Sequence, residues 1–255
     1  MPRRTFALLA ALAALPAALG AQRPPETPWQ PPQWGEKQEV PVVGWVGGGL
    51  ALALPVGEFA NYVNVGGGFS GFGALPLSED GAVSLRLDAT FLLYGSETRR
   101  VPLSTTVQLV TVDVTTSNQI FGLAVGPQLS RPRGGVRPYV TAQVGFSYFA
   151  TTSSVGGTHD ADPFATSTNF DDFTLALRGG GGVWVRLSRG PTPVWLDLSA
   201  QYVRNGRVQY LREGSITFSG TGAPIYHPIE SETHLWLVQA GVAVGLHSKG
   251  AGFHP

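Results

Sequence analysis

Val83-Ser84-Leu85-Arg86-Leu87-Asp88-Ala89-Thr90-Phe91-Leu92-Leu93-Tyr94 alternates between apolar and polar side chains. Val83, Leu85, Leu87, Ala89, Phe91 and Leu93 fall on one side, and Ser84, Arg86, Asp88, Thr90 and Tyr94 share the other. Successive side chains of a β-strand point to opposite faces, so a period of two over this length reads as strand; no helical stripe fits it. Three later segments repeat the pattern. Phe173, Leu175, Leu177, Val183, Val185 and Leu187 oppose Thr174, Arg178, Gly180, Gly182 and Arg186. Val194, Leu196, Leu198, Ala200 and Tyr202 oppose Asp197, Ser199, Gln201 and Asn205. Trp236, Val238, Ala240, Val242, Val244 and Leu246 oppose Gln239, Gly241, Gly245 and His247.

Four softer segments complete a set of eight. Val42 to Leu54 and Asn64 to Leu75 are diluted by glycine, while Gln119 to Leu129 carries Phe121, Leu123 and Val125 on one face. Tyr139 to Phe149 puts Val140, Ala142, Val144, Phe146 and Tyr148 together. A tilted strand crosses an outer membrane in about 9–11 residues, so each segment is long enough. The expected fold is all-β: an eight-stranded antiparallel up-and-down transmembrane β-barrel spanning 42–247.

The connectors set the orientation. Pro76–Gly81, Arg131–Arg137 and Ser188–Thr192 are tight and rich in Pro, Gly and charge. Between them lie longer polar links, Val56–Val63, Ser96–Asn118, Thr151–Asp172 and Gly206–Thr233. Short turns on one side and long loops on the other is the outer-membrane arrangement, with the turns in the periplasm. Both ends of the barrel then lie in the periplasm. Val107, Leu109, Val112 and Val114 alternate partly with Gln108, Thr111, Asp113 and Thr115, so strand four can begin early and project as a hairpin with strand three. Val208–Leu211 and Ser215–Phe218 can do the same in the fourth link.

The front of the chain reads as an export signal. Arg3 and Arg4 precede an apolar run from Phe6 to Leu19 and the small residues Gly20 and Ala21. That run is about 14 residues, short of the roughly 20 needed to span a bilayer as a helix, and Pro16 interrupts it. Residues 1–21 are expected to be removed, 22–41 to be a Pro-rich periplasmic linker, and 248–255 to be a short tail. Loss of Arg3 and Arg4 leaves 15 basic against 17 acidic residues, a net −2 that offers no basic footprint for nucleic acid. The chain has no Cys, so a disulfide framework and a lipid-anchored cysteine are both excluded. At 13% charged residues with 34 glycines, the composition fits strands that face lipid on one side.

Gly44-Trp45-Val46-Gly47-Gly48-Gly49-Leu50, Asn64-Val65-Gly66-Gly67-Gly68 and Leu85-Arg86-Leu87-Asp88 carry a resemblance. Over Pro41 to His247 the pattern resembles the OmpA/OmpX-type eight-stranded outer-membrane barrels, within the generic outer-membrane β-barrel domains. The resemblance implies a fold and a membrane, and no reaction. Two departures stand out. Such barrels commonly end on an aromatic residue read by the insertion machinery, whereas here Leu246-His247 is followed by eight residues with Phe253 third from last. With eight residues after His247, a peptidoglycan-binding domain of the OmpA type is not expected.

Candidate site residues follow from parity. Arg86, Asp88, Arg178, Arg186 and Asp197 point inward, joined by Gln128, Gln143, Gln201 and Gln239. Eight strands enclose an interior just wide enough for side chains, and buried charges must pair. The expected lumen is an ion-pair and amide network that fills the barrel, with Trp184 opposite Asp197 and with Gly180, Gly182, Gly241 and Gly245 leaving room for long side chains. Tyr62, Tyr94, Phe121, Tyr148, Phe173, Tyr202 and Trp236 are placed in an outer aromatic girdle. Trp45, Tyr139 and Trp195 lie near the inner ends but with lumen-facing parity.

Catalytic chemistry has little to stand on. His159-Asp160-Ala161-Asp162 lies in the third long link, and His227, Glu230, Glu232 and His234 lie in the fourth, with Ser153 and Ser231 as conceivable nucleophiles. Asp160, Asp162, Asp171 and Asp172 lack calcium-loop spacing, and Arg178-Gly179-Gly180-Gly181-Gly182 lacks the ending of a phosphate loop. No catalytic residue, metal or cofactor is expected. The expected role is structural or surface-interacting, with outer-membrane lipid, the barrel-insertion machinery and a surface ligand at the long loops as partners. A small pore or apolar-solute channel is the alternative, ahead of a lipid-modifying enzyme.

Overall fold

The computed structural model describes residues 42–102, 111–157, 163–188, 192–212, 214–218 and 224–247. The expected signal, linker and tail, with Phe253, His159, Asp160 and Asp162, lie outside those residues. Eight strands close on themselves as a barrel: β1 (Val42–Pro55), β2 (Gly66–Pro76), β3 (Val83–Pro102), β4 (Thr111–Ser130), β5 (Val136–Gly157), β6 (Pro163–Arg186), β7 (Val194–Asn205) and β12 (Leu235–His247). Each pairs antiparallel with its neighbours, and β1 meets β12 to close the ring, from Trp45 opposite Gly245 to Pro55 opposite Leu235. Between β7 and β12 stand four short strands: β8 (Arg207–Tyr210), β9 (Ile216–Phe218), β10 (Pro224–Tyr226) and β11 (Ile229–Glu232). They pair as β8 with β11 and β9 with β10.

The alternation becomes an inside and an outside. Leu85, Leu87, Phe91 and Leu93 of β3 point outward, as do Phe173, Leu175 and Leu177 of β6 and Trp236, Val238 and Val242 of β12. A belt of this kind around a closed wall is stable only in lipid, where closure leaves no backbone edge unpaired. No helix among the described residues is long and apolar enough to cross a membrane.

The short connectors form tight turns. Gly81 and Gly134 adopt left-handed φ of 71° and 112°, open to glycine at no steric cost. In the β2–β3 turn the Ser78 hydroxyl donates to Asp80 at 2.6 Å and holds its carboxyl below the usual range, with the Ala82 amide donating as well.

The long connectors differ from expectation. The second is a hairpin, as its alternation allows: β3 and β4 stay paired from Gly95–Asn118 to Pro102–Thr111. The third, read as a polar link over Thr151–Asp172, is also strand. There β5 and β6 remain paired from Thr151–Phe170 to Gly156–Pro163. Water lies on both faces of a hairpin above a bilayer, so Thr and Ser alternate with no contrast in hydropathy, and the strand signal vanishes from sequence.

Candidate functional site

The lumen is filled in three tiers. At the turn end Trp45, Trp184, Trp195, Phe72 and Tyr139 point inward from five strands. Trp45 and Trp184 have ring centroids 5.1 Å apart, and Trp45 meets Trp195 edge-on at 6.1 Å. Gly47 gives Phe72 its space, since a methyl group there would overlap the ring. Gly245 does the same for Trp45 and Gly182 for the Tyr139 hydroxyl.

The middle tier is charged. Arg86 is fully buried, and its Nε lies 3.0 Å from both carboxylate oxygens of Asp88, itself 1% exposed. Its Nη1 donates to Gln128 Oε1 at 3.0 Å, and its Nη2 lies 3.8 Å from Asp197 Oδ2. The guanidinium sits 3.8 Å above the centre of the Phe72 ring. Gln143 donates to Asp88, and the Tyr139 hydroxyl donates to Asp197 at 2.6 Å. Arg178 faces Gln143 across β5 and β6 and donates to Thr90 at 3.3 Å. Two arginines and two aspartates therefore share one buried layer with formal charges that sum to zero. Losing one partner of such a pair leaves an uncompensated buried charge, worth about 3–5 kcal/mol.

The third tier closes the hairpin end. A single 3-10 turn, Phe59–Asn61, in the β1–β2 link carries Phe59 into the mouth, where it is 1% exposed. Tyr210, Tyr94 and Phe149 meet it edge-on with centroids at 5.4, 6.1 and 6.1 Å. Leu92, Ile120, Val203, Leu235 and Leu237 pack in the same cluster. The turn is tied down from outside: Val56 N–H donates to the His234 carbonyl at 3.0 Å, and Glu58 accepts from the Glu232 amide at 3.1 Å. The β8–β11 pair supplies buried Val208 and Tyr210, with the Tyr210 and Ser231 hydroxyls 2.9 Å apart.

Arg86, Asp88, Asp197, Gln128 and Gln143 are brought into one connected cluster. Arg178 lies in the same layer through Thr90. Gln201 bonds Thr141 at 3.5 Å and Gln239 accepts from Ser199 at 3.2 Å, so both are inward but outside the arginine cluster. Arg186 departs from expectation: its guanidinium stacks 4.8 Å from the centre of Trp195 at the turn end, since it stands two residues nearer the turn than Trp184. Tyr94 is no girdle residue. It points inward on the face of Arg86, Asp88 and Thr90, and its hydroxyl donates to the Leu211 carbonyl at 3.3 Å; the parity of β3 changes only here, at the irregularity between Leu93 and Gly95.

Gly180 and Gly241 also differ in role. A methyl group at either would strike the backbone of the adjacent strand, so they serve close strand approach rather than side-chain room. Gly122, not singled out by the sequence, makes that room: a methyl group there would overlap the Arg178 guanidinium. Tyr139 and Phe72 of the turn-end tier reach the charged one, through Asp197 and Arg86, and are likewise absent from the candidate set, although the inward parity of Tyr139 is readable.

The loop histidines and acids are engaged locally. His234 Nε2 lies 3.1 Å from Glu232, and His227 Nε2 lies 3.0 Å from the Thr217 hydroxyl. Asp172 accepts the Phe173 and Gln209 amides at 2.8 Å each. Among the described residues no group of three His, Asp or Glu side chains is placed to hold a metal ion.

A closed antiparallel wall, apolar outside and filled inside by aromatic rings and a charged cluster, defines an eight-stranded transmembrane β-barrel. Among solved structures the chain is similar to Neisserial surface protein A, at 15% identity over 80% of this chain and 97% of that one, with a TM-score of 0.47. It is also similar to Ail, the attachment invasion locus protein of Yersinia pestis, at 11% identity over 79% and 96%, TM-score 0.42. A major outer membrane protein from Thermus thermophilus matches at 12% identity over 78% and 98%, TM-score 0.35. No protein-family model matches the chain, and no curated protein sequence matches it.

Proposed function

We propose that this chain is an exported outer-membrane protein with a filled, non-conducting lumen, and that its work is structural or surface-interacting, done by the hairpins above the bilayer. The observation that carries the reading is the three-tier fill. Aromatic rings stand at one end, the Arg86–Asp88–Asp197 cluster in the middle and Phe59 with its partners at the other. A solute pathway would have to part all three.

In this reading residues 1–21 are removed on export and 22–41 form a periplasmic linker. The wall contacts outer-membrane lipid, the insertion machinery assembles it, and a surface ligand meets the β3–β4 and β5–β6 hairpins. Purified barrel in planar lipid bilayers tests the reading: the unaltered protein is expected to be silent. Steady single-channel steps would overturn the filled lumen in favour of a small pore. Labelling of an Asp113→Cys variant on intact cells tests the orientation, with reaction at the cell surface expected.

A further inference from the structure

At the hairpin end, β2 and β3 part company. Their pairing ends at Gly67 opposite Leu93, β3 is irregular between Leu93 and Gly95, and it then runs on to Pro102 without β2 beside it. The gap is a cleft of about 510 Å³. That lies within the roughly 300–1,000 Å³ in which small ligands are usually held. Two of its lining residues, Val63 and Tyr94, belong to the third tier, so it borders the filled lumen on that side.

The lining has a definite chemistry. Arg212 stands at one wall with its guanidinium 5.8 Å from the centre of the Tyr62 ring. Its backbone is held on both sides, since its N–H donates to the Ser215 hydroxyl at 3.2 Å and its carbonyl accepts the Ser215 amide at 3.1 Å. The preceding residue, Leu211, is buried and receives the Tyr94 hydroxyl. Asn64, exposed, brings an amide to the remaining walls; Asn118 there is buried with its Oδ1 accepting from the Thr151 hydroxyl at 2.7 Å, and the Ser96 hydroxyl lies 3.4 Å from that of Ser117. No acidic side chain is among the described lining residues. The nearest along β3, Glu97, is paired with Arg99 at 2.7 Å.

The rim has a second character. Val65 is 61% exposed, and Leu93 faces outward at the top of the apolar belt. Directly below them Phe69 lies opposite Phe91, both facing outward. On β3 the outward residues change from Leu93 to Ser96 and Thr98 at this level, which sets the cleft at the boundary between lipid and water. A planar cationic fork suits a phosphate or carboxylate, amides and hydroxyls suit sugar hydroxyls, and the apolar strip beneath suits acyl chains.

We propose that this cleft binds an acidic saccharide, a sugar bearing phosphate or carboxylate, borne by a lipid of the outer leaflet or free in solution. Asn64 and Arg212 are both exposed, so Arg212→Gln and Asn64→Trp change the cleft and leave the wall intact; heat-shifted migration on SDS gels checks that both variants fold. The barrel in phosphatidylcholine mixed micelles is offered a phosphorylated diglucosamine glycolipid, its dephosphorylated form, or soluble glucosamine 6-phosphate. Native mass spectrometry then counts bound molecules. One phosphorylated ligand is expected per barrel, held about tenfold more weakly by Arg212→Gln and lost in Asn64→Trp. Binding of the glycolipid alone assigns the site to a lipid headgroup, and equal binding of the sugar phosphate assigns it to a free acidic sugar. Absence of binding by both phosphorylated probes, equal binding of the dephosphorylated form, or variants that bind as the unaltered protein does would overturn the proposal.

Discussion

Four neighbouring strands of the ring, β3 to β6, are 20 to 24 residues long, whereas β1, β2, β7 and β12 are 11 to 14. A crossing takes about 9–11 residues, so one half of the barrel ends near the membrane surface and the other continues well beyond it. The tall half changes character along single strands. On β3 the outward series runs Leu85, Leu87, Phe91 and Leu93, then Ser96, Thr98 and Arg100; on β4 it runs Asp113, Thr115 and Ser117, then Phe121 and Val125. Above the switch, Thr98 and Thr115 share a hydrogen bond at 2.9 Å and Arg100 meets Asp113 at 3.0 Å. The low half has no such wall. Its mouth is closed by Phe59 and by the four-residue β8–β11 pair, where the tall half has long ladders that continue the wall. One set of strands thus obeys two solvents, and the boundary between them can be read residue by residue.

The charged tier is shared by both halves, so its loss has the largest expected effect. Arg86→Ala leaves Asp88 and Asp197 buried without their cation and is expected to cost about 3–5 kcal/mol in denaturant unfolding from vesicles. Arg86→Met with Asp88→Leu removes both charges and is expected to recover much of that loss; equal loss in the double variant would show that the pair is not what matters. The boundary is probed along one strand. Arginine in place of Leu87, which is 48% exposed in the apolar belt, is expected to cost roughly 2–4 kcal/mol. Arginine in place of Thr98 faces water and is expected to change the unfolding midpoint little. Similar costs at the two positions would erase the distinction between the halves of β3.

Gly122→Ala forces the Arg178 guanidinium aside and is expected to cost about 1–3 kcal/mol, the usual range for overpacking. The smallest effect is expected above the membrane. Arg100→Ala removes an ion pair in which the Arg side chain is 61% exposed, worth less than about 1 kcal/mol and screened by salt.

The wall was readable because lipid imposes a sharp contrast. Leu85, Leu87 and Phe91 against Arg86, Asp88 and Thr90 leaves one strand and one inward face, and the turn residues fix where strands begin. The same contrast is missing from Thr151–Asp172, where water on both sides removes the alternation although the hydrogen-bonded ladder continues. Phe59 was hidden for another reason. Its place in the mouth depends on Tyr94, Phe149 and Tyr210, which come from three distant parts of the chain. Parity named most of the charged tier but not who bonds whom: Arg186 shares parity with Arg178 yet stacks on Trp195, and the need for Gly122 arises on a strand two places round from Arg178. The cleft beside Arg212 was illegible for the same reason, since it forms where two strands stop agreeing in length.

The balanced middle tier has an electrical consequence. Arg86 and Arg178 offset Asp88 and Asp197 within one layer, so a voltage applied across the membrane pulls on the anions as hard as it pushes on the cations. That tier carries no net gating charge, and work done on a displaced charge is what opens a voltage-driven pore. A field can twist such a layer, but it cannot expel it.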